Sequence, residues 1–351
     1  MNTATGRTTT VPRTMRAAVL HRVRELHLEE WPVPGPGPHE VLIRVHTVGL
    51  CGSDVHFYEH GRVGDLEVLE PLVLGHEAAG TIVAAGEQVG GPDSLIGRRV
   101  AIEPQRPCRY CWHCRTGQYN LCPQMQFLSA PPVHGCFAEY VTVPADLAHP
   151  VPEQYSDDAV ALLEPLSVGI AAARKAAVVP GSRVLVAGAG PIGVLCAAAA
   201  RGFGATDVVV ADPVQPRREI AQDMGATEVF DPLTQTAPDG AFDAFIDASG
   251  APGVLAAGLR ALRGGGRAVL VGMAAEEVAL NVFLVQSREL KIEGLFRYTD
   301  TWPAAIALAA DLDLDRLVSA RFPLESLGEA IHRNGEAEVM KVLVDVAPDP
   351  S

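Results

Sequence analysis

A strand-turn-helix signature near the middle of the chain restricts its possible folds more than any other feature. Gly188-Ala189-Gly190-Pro191-Ile192-Gly193 follows the apolar run 184–187 and opens an alanine-rich segment, 194–200. In that context Gly188 permits a tight turn and Gly190 lets backbone approach a pyrophosphate. Gly193 lets helix and strand pack closely while the helix N-terminus faces the anion. The next apolar run ends at Asp212, about twenty residues on, where a carboxylate suits the hydroxyls of a ribose. A glycine turn alone would suit any α/β protein. Strand, helix and distal acid together indicate a dinucleotide site built from Gly188, Gly190, Pro191, Ile192, Gly193, Asp212 and Arg217. Asp212 repels a 2′-phosphate and so favours NAD over NADP, a preference tempered by Arg217 and Arg218 nearby.

Around this signature apolar strands alternate with amphipathic helices, the pattern of a parallel sheet with crossover connections. Strands are predicted over 184–187, 207–211, 242–246, 267–271 and 290–295, and helices over 216–224 and 253–262. Upstream, residues 15–150 show short alternating runs broken by Pro and Gly, such as 41–48 and 81–85, as in an irregular β-rich unit. Between the two, Asp157, Asp158 and an Ala- and Leu-rich run through Ala176 predict one long helix with an acidic first turn. The last fifty residues predict helices around 304–310 and 324–332 and a closing strand over 339–344. A chain of 351 residues exceeds one typical core, so two domains are expected. The division expected is a flexible tail over 1–14, a β-rich catalytic unit over 15–166, a doubly wound Rossmann unit over 167–295, and a return to the first unit over 296–351.

Charge excludes one class of partner. The formal net charge is -14, and Lys and Arg are scattered singly, so a nucleic-acid backbone would be repelled. The longest charge-free apolar stretch, 184–200, is too short for a membrane span and is interrupted by Gly188, Gly190, Pro191 and Gly193. Residues 1–14 are rich in Thr and lack an apolar signal region, so a cytoplasmic protein is expected.

Seven cysteines in such a chain point to metal or thiol chemistry rather than a disulfide framework. Cys108, Cys111, Cys114 and Cys122 lie close enough in one loop to close a tetrahedral shell around zinc. That site has no open position, so its task is structural and its binding energy becomes folding energy. The rival readings are two disulfides or an iron-sulfur cluster; the setting and the lack of a Cys-Pro signature argue against them. Cys136 and Cys196 are read as bystanders.

A second constellation is dispersed: Cys51, His76, Glu77 and Glu164. A thiolate, an imidazole and a carboxylate leave the fourth position of zinc free for water or substrate, as in a catalytic site. By spacing alone that signal is weak. Gly75-His76-Glu77 with Gly80, Gly86 and Val89 resembles the zinc alcohol dehydrogenase signature. Cys51-Gly52-Ser53-Asp54-Val55-His56, the run Tyr58 to Arg62, and Phe296-Arg297-Tyr298 before Thr301-Trp302-Pro303 resemble the sorbitol and xylitol dehydrogenase branch of that superfamily. The likeness covers nearly everything after Met15, although Phe57 stands where many relatives carry Tyr.

The resemblance implies a GroES-like β-rich catalytic domain beside the Rossmann domain. It also implies two zinc ions per chain, one catalytic on Cys51, His76 and Glu77 with Glu164 near or exchangeable, and one structural. The activity implied is hydride transfer from a secondary hydroxyl of a polyol to NAD, with zinc stabilising the alkoxide. A related dehydrogenase of threonine, butanediol or a sugar acid is the alternative. Ser53 and His56 are expected to relay the released proton. Asp54 is expected to accept a hydrogen bond from a ligating imidazole. Tyr58, Glu164, Arg297 and Tyr298 are candidates to contact substrate, with a structural ion pair the alternative for Arg297. A homodimer or homotetramer paired through the Rossmann domains is implied as well.

Overall fold

A computed structural model of the chain describes residues 11–273 and 277–347, apart from the Asp93 side chain. Most of the tail expected over 1–14 lies outside the described residues, and Thr14 already opens the strand Thr14–Arg22. No helix among the described residues is long and apolar enough to cross a membrane.

Six strands pair in parallel in the order Glu228–Phe230, Asp207–Ala211, Arg183–Ala187, Phe242–Asp247, Leu262–Leu270, Lys291–Gly294. In chain order that is 3-2-1-4-5-6, the doubly wound arrangement whose order reverses beside the first strand. The first strand is buried along Val184 to Ala187, which explains its continuous apolar run: helices cover both faces of a parallel sheet. The strand Glu228–Phe230 and the helix Val282–Ser287 are elements without an apolar period long enough to announce them.

The other main sheet is largely antiparallel and assembled from distant pieces. Its order is Ala148–Pro150, Arg99–Ile102, Glu77–Ala85, Glu40–Gly49, Lys341–Asp345, Val318–Pro323, and Tyr140–Pro144 also pairs with Glu40–Gly49. The C-terminal strands thus sit against the N-terminal ones, with Leu343 opposite Gly49 and Gly49 opposite Glu77.

The single long helix expected after Ser156 is two helices, Asp157–Ala161 and Leu163–Lys175. Ser156 Oγ caps the first by accepting from Ala159 N at 3.0 Å. The break follows from Pro165, which lacks an N–H and whose ring crowds the carbonyl four residues back. It places Glu164 in a fresh first turn. The second helix packs tightly on Pro191–Gly202: a Cβ on Gly169 would lie 2.5 Å from Leu195 O. Glu164 is therefore held on an element locked to the helix that the glycine turn opens.

Candidate active site

Cys51 caps the nine-residue helix Gly52–His60, a helix whose weak apolar period hid it in the sequence. His76 and Glu77 stand where the strand Glu77–Ala85 begins. Gly75 has φ 91°, and a Cβ there would lie 2.8 Å from the Phe137 ring. Only glycine lets the chain turn His76 inward at that point.

The donor atoms of Cys51, His76 and Glu77 all lie within 4.8 Å of one another. His76 and Glu77 are buried. Burial by itself would lower the His76 imidazole, but the carboxylate of Asp54, the thiol sulfur of Cys51 and Glu164 outweigh it and push it up to about 10. The cluster therefore draws positive charge. His76 Nδ1 is buried without a hydrogen-bond partner among the described residues. Gly49 also clears space for Glu77, since a Cβ there would lie 2.2 Å from its Oε2. A soft sulfur, an imidazole and a carboxylate at this spacing fit a zinc ion.

Asp54 departs from expectation. Its Oδ1 stands 3.8 Å from His76 Nδ1, beyond hydrogen-bond reach. Instead Oδ1 accepts from Gly75 N at 3.1 Å and Ser129 Oγ at 2.8 Å, and Oδ2 accepts from Cys51 N at 3.1 Å. This buried carboxylate ties the segment carrying Cys51 to the one carrying His76 and leaves the imidazole to its field alone.

Glu164 lies outside the three-donor group but acts on it electrostatically. Its Oε1 accepts from Tyr298 Oη at 2.9 Å, with both residues buried. Burial, reinforced by Glu77 and opposed by His76 and Tyr298, pushes the Glu164 carboxyl up to about 7. Arg297 makes no ion pair among the described residues. Its guanidinium lies 4.2 Å from the Phe127 ring centre and 4.7 Å from that of Phe296, a cation–π arrangement. Phe127 packs in turn 5.2 Å from the His76 ring. Burial lowers the Arg297 pKa, opposed by Tyr298 and Glu164.

Ser53 is partly exposed and His56 exposed, one turn further along the same helix. The structure does not bring Tyr58 to this cluster. Its ring packs edge-on against His332 at 5.9 Å, and it lines a hollow with Leu26, Leu28 and Leu324.

A residue that sequence reading missed completes the cluster. Lys341 Nζ donates to both carboxylate oxygens of Glu77 and to Leu50 O. Its only sequence signal is a lone cation opening an apolar strand.

At the glycine turn, Gly188 has φ 91°, and a Cβ on Gly193 would lie 1.8 Å from Gly188 O. Among the described residues a Cβ on Gly190 would meet nothing within 4 Å, so none of their packing explains that glycine; space at a helix N-terminus suits an approaching phosphate. Pro191 and Ile192 form the first turn of the helix. Asp212 Oδ2 accepts from Ala189 N at 2.7 Å and Oδ1 from Val214 N at 2.8 Å. The carboxylate braces the turn and keeps lone pairs for a further donor. Arg218 reaches Asp212 O at 2.6 Å, while Arg217 turns toward Val339 O at 3.4 Å.

The sulfur atoms of Cys108, Cys111, Cys114 and Cys122 also lie within 4.8 Å of one another, and all seven cysteines are free thiols. The N–H groups of Cys108, Cys111 and Cys114 point at the sulfurs of Cys122, Cys108 and Cys111 at 3.3, 3.3 and 3.5 Å. Desolvation would raise the Cys108 pKa, but the N–H groups of Cys111 and Tyr110 bring it down to about 7. Four sulfurs with amides aimed at them are a donor set for a closed zinc shell.

Comparison with known proteins agrees with this geometry. Residues 37–153 match the alcohol dehydrogenase GroES-like domain and residues 191–311 the zinc-binding dehydrogenase family. Over 350 residues the chain is 40% identical to a sorbitol dehydrogenase of Bacillus subtilis (strain 168), covering 96% of this chain and 99% of that one. It is 37% identical over 342 residues to the Aspergillus terreus protein named "Probable D-xylulose reductase A", covering 93% and 96%. The crystal structure of L-idonate 5-dehydrogenase from Escherichia coli superposes with a TM-score of 0.89 at 29% identity, covering 95% of this chain and 98% of that one. With both domain families matched in order and relatives aligned end to end, the chain belongs to the zinc-dependent medium-chain alcohol dehydrogenase superfamily, in its sorbitol and xylitol dehydrogenase branch.

Proposed function

We propose that the protein oxidises a secondary hydroxyl of a polyol such as sorbitol or xylitol to the ketose, passing the hydride to NAD. The observation that carries this reading is the convergence of Cys51, His76 and Glu77 within 4.8 Å, with Glu164, which accepts from Tyr298, acting electrostatically on His76. In the reading these three residues hold a catalytic zinc and Cys108, Cys111, Cys114 and Cys122 a structural one, two per chain. Bound zinc supplies the Lewis acid that makes the substrate hydroxyl acidic, and bound nicotinamide supplies the hydride acceptor.

The residues of the chain do the rest. Polyols carry several hydroxyls, and Glu164, Tyr298 and Arg297 offer them acceptors and donors that an ethanol pocket would not need. Ser53 takes up the released proton and His56, exposed to solvent, carries it outward. Tyr58, packed on His332, is left out of the substrate set. Asp212, buried at the end of its strand, favours NAD over NADP.

The division into 15–166 with 296–351 as catalytic unit and 167–295 as nucleotide unit belongs to the same reading. So does a homodimer or homotetramer formed through the Rossmann sheet, supported by the position of Lys291–Gly294 at its edge. So, too, does residence in the cytoplasm, where the thiols stay reduced. A panel of pentitols, hexitols, threonine and 2,3-butanediol with NAD and with NADP tests the function. Turnover of pentitols or hexitols with NAD is expected; turnover of threonine alone would overturn the reading.

A further inference from the structure

The four-cysteine lobe does more than fold. We propose that Tyr119 and Asn120, carried on it, are positioning residues for the substrate pocket, because they hold both ends of the segment 296–300 that presents Arg297 and Tyr298. The proposal rests on the reading given under Proposed function.

Tyr119–Leu121 is a single 3₁₀ turn immediately before Cys122, and Cys122 N donates to Tyr119 O at 3.0 Å. From this turn Asn120 Nδ2 donates to Phe296 O at 2.7 Å, and Asp300 N donates to Tyr119 Oη at 2.9 Å. The lobe thus grips the first and last residues of a five-residue stretch. Arg297 and Asp300 both have positive φ, at 58° and 50°, a conformation that side chains other than glycine keep only when their surroundings impose it. Two more contacts complete the restraint, Gln105 Nε2 to Tyr298 O at 3.0 Å and Arg174 Nη1 to Asp300 O at 2.7 Å.

The Tyr119 oxygen is itself anchored. It donates to Glu103 Oε1 at 2.9 Å, and the other oxygen of that buried carboxylate lies 2.9 Å from His149 Nε2. The His149 ring stacks on Trp302 at 4.7 Å and 6°. One phenolic oxygen therefore joins the cysteine lobe, the catalytic sheet beyond Arg99–Ile102 and the backbone that carries Tyr298. Tyr298 ends on Glu164 at 2.9 Å. A shift of the lobe is passed to the pocket wall through two hydrogen bonds rather than through general loosening.

Tyr119→Phe, which removes that oxygen and nothing else, tests the chain of contacts in the zinc-loaded protein. Hydrogen exchange at the Asp300 amide is expected to accelerate. With sorbitol and NAD, kcat/KM is expected to fall about tenfold, mainly through KM, while NADH affinity stays within about twofold. Parental exchange at Asp300 overturns the proposal, as does faster exchange with an unchanged KM. A fall in kcat/KM without faster exchange overturns it too, since the effect would then bypass the segment. If the parent oxidises no polyol, the reading under Proposed function fails on its own, and exchange still decides whether the lobe holds the segment. Asn120→Ala, at the lobe surface, repeats the test at the Phe296 end should Tyr119→Phe fail to fold.

Discussion

Lys341 Nζ lies 2.8 and 2.6 Å from the two carboxylate oxygens of Glu77, with both side chains buried. The two residues are brought together because the closing strand pairs with Glu40–Gly49 on one side, and the strand that begins at Glu77 pairs with it on the other. The lysine neutralises a carboxylate that would otherwise be buried with a thiol and a second carboxyl nearby.

Removing one partner of a buried pair leaves the other uncompensated, at a cost of about 3–5 kcal/mol. Lys341→Met is accordingly expected to lower stability by that order and to weaken zinc retention at the same site. Denaturant melts with and without added zinc check it. A variant as stable as its parent would show that Glu77 does not depend on the lysine.

The two cysteine sites should fail differently. Cys51→Ser is expected to abolish turnover while leaving NADH binding near normal, because Cys51 sits far in sequence from the glycine turn and on the other sheet system. Retained turnover would remove Cys51 from the metal shell. Cys111→Ser is expected to act through folding, since in the proposed reading a zinc held by the four sulfurs would supply folding energy to the lobe. Its melting temperature should drop by several degrees, and an unchanged one would contradict a structural role.

Gly190→Ala separates folding from nucleotide binding. A Cβ at Gly190 meets no atom of the described residues within 4 Å, and its φ of -67° suits alanine. Thermal stability should therefore change by less than about 0.5 kcal/mol, while NADH affinity measured by fluorescence titration should fall about tenfold or more through the lost approach of the pyrophosphate. Undiminished affinity would place the dinucleotide elsewhere. Gly193→Ala, with only 1.8 Å to Gly188 O, should damage folding and binding together.

Asp157 makes acid stability testable. Its carboxylate lies 3.0 Å from His46 Nδ1 and 2.7 Å from Arg99 Nη2, joining the first turn of the helix before Glu164 to two strands. Burial would raise its pKa, but His46 and Arg99 hold it below the ordinary value. A carboxyl with a depressed folded pKa contributes stability that is complete above its unfolded pKa, near 3.9. That contribution is lost as pH falls through the folded value. Asp157→Asn should therefore lower the melting temperature at pH 7 and flatten its decline between about pH 5 and 3. A decline as steep as the parent's would remove Asp157 from the acid transition.

Legibility in the sequence followed locality. The glycine turn and the four-cysteine lobe were readable because all their parts lie within a few turns of chain, so residue spacing already implies geometry. The break into two helices before Pro165 was missed because an acidic start followed by Ala and Leu reads as one helix. The role of Asp54 was misjudged because its partners, Cys51, Gly75 and Ser129, come from three separate segments.

The chain order alone determined a doubly wound parallel sheet, four cysteines gathered in one loop and a dispersed set of Cys, His and Glu side chains. The tertiary structure decided which of those side chains meet. Cys51, His76 and Glu77 converge through strand register, Lys341 joins Glu77 across a separation of 264 residues, and Tyr298 reaches Glu164 across 134. Sheet pairing brings such groups within ångströms without leaving any periodicity in the sequence, because each strand needs only its own alternation and its partner's edge.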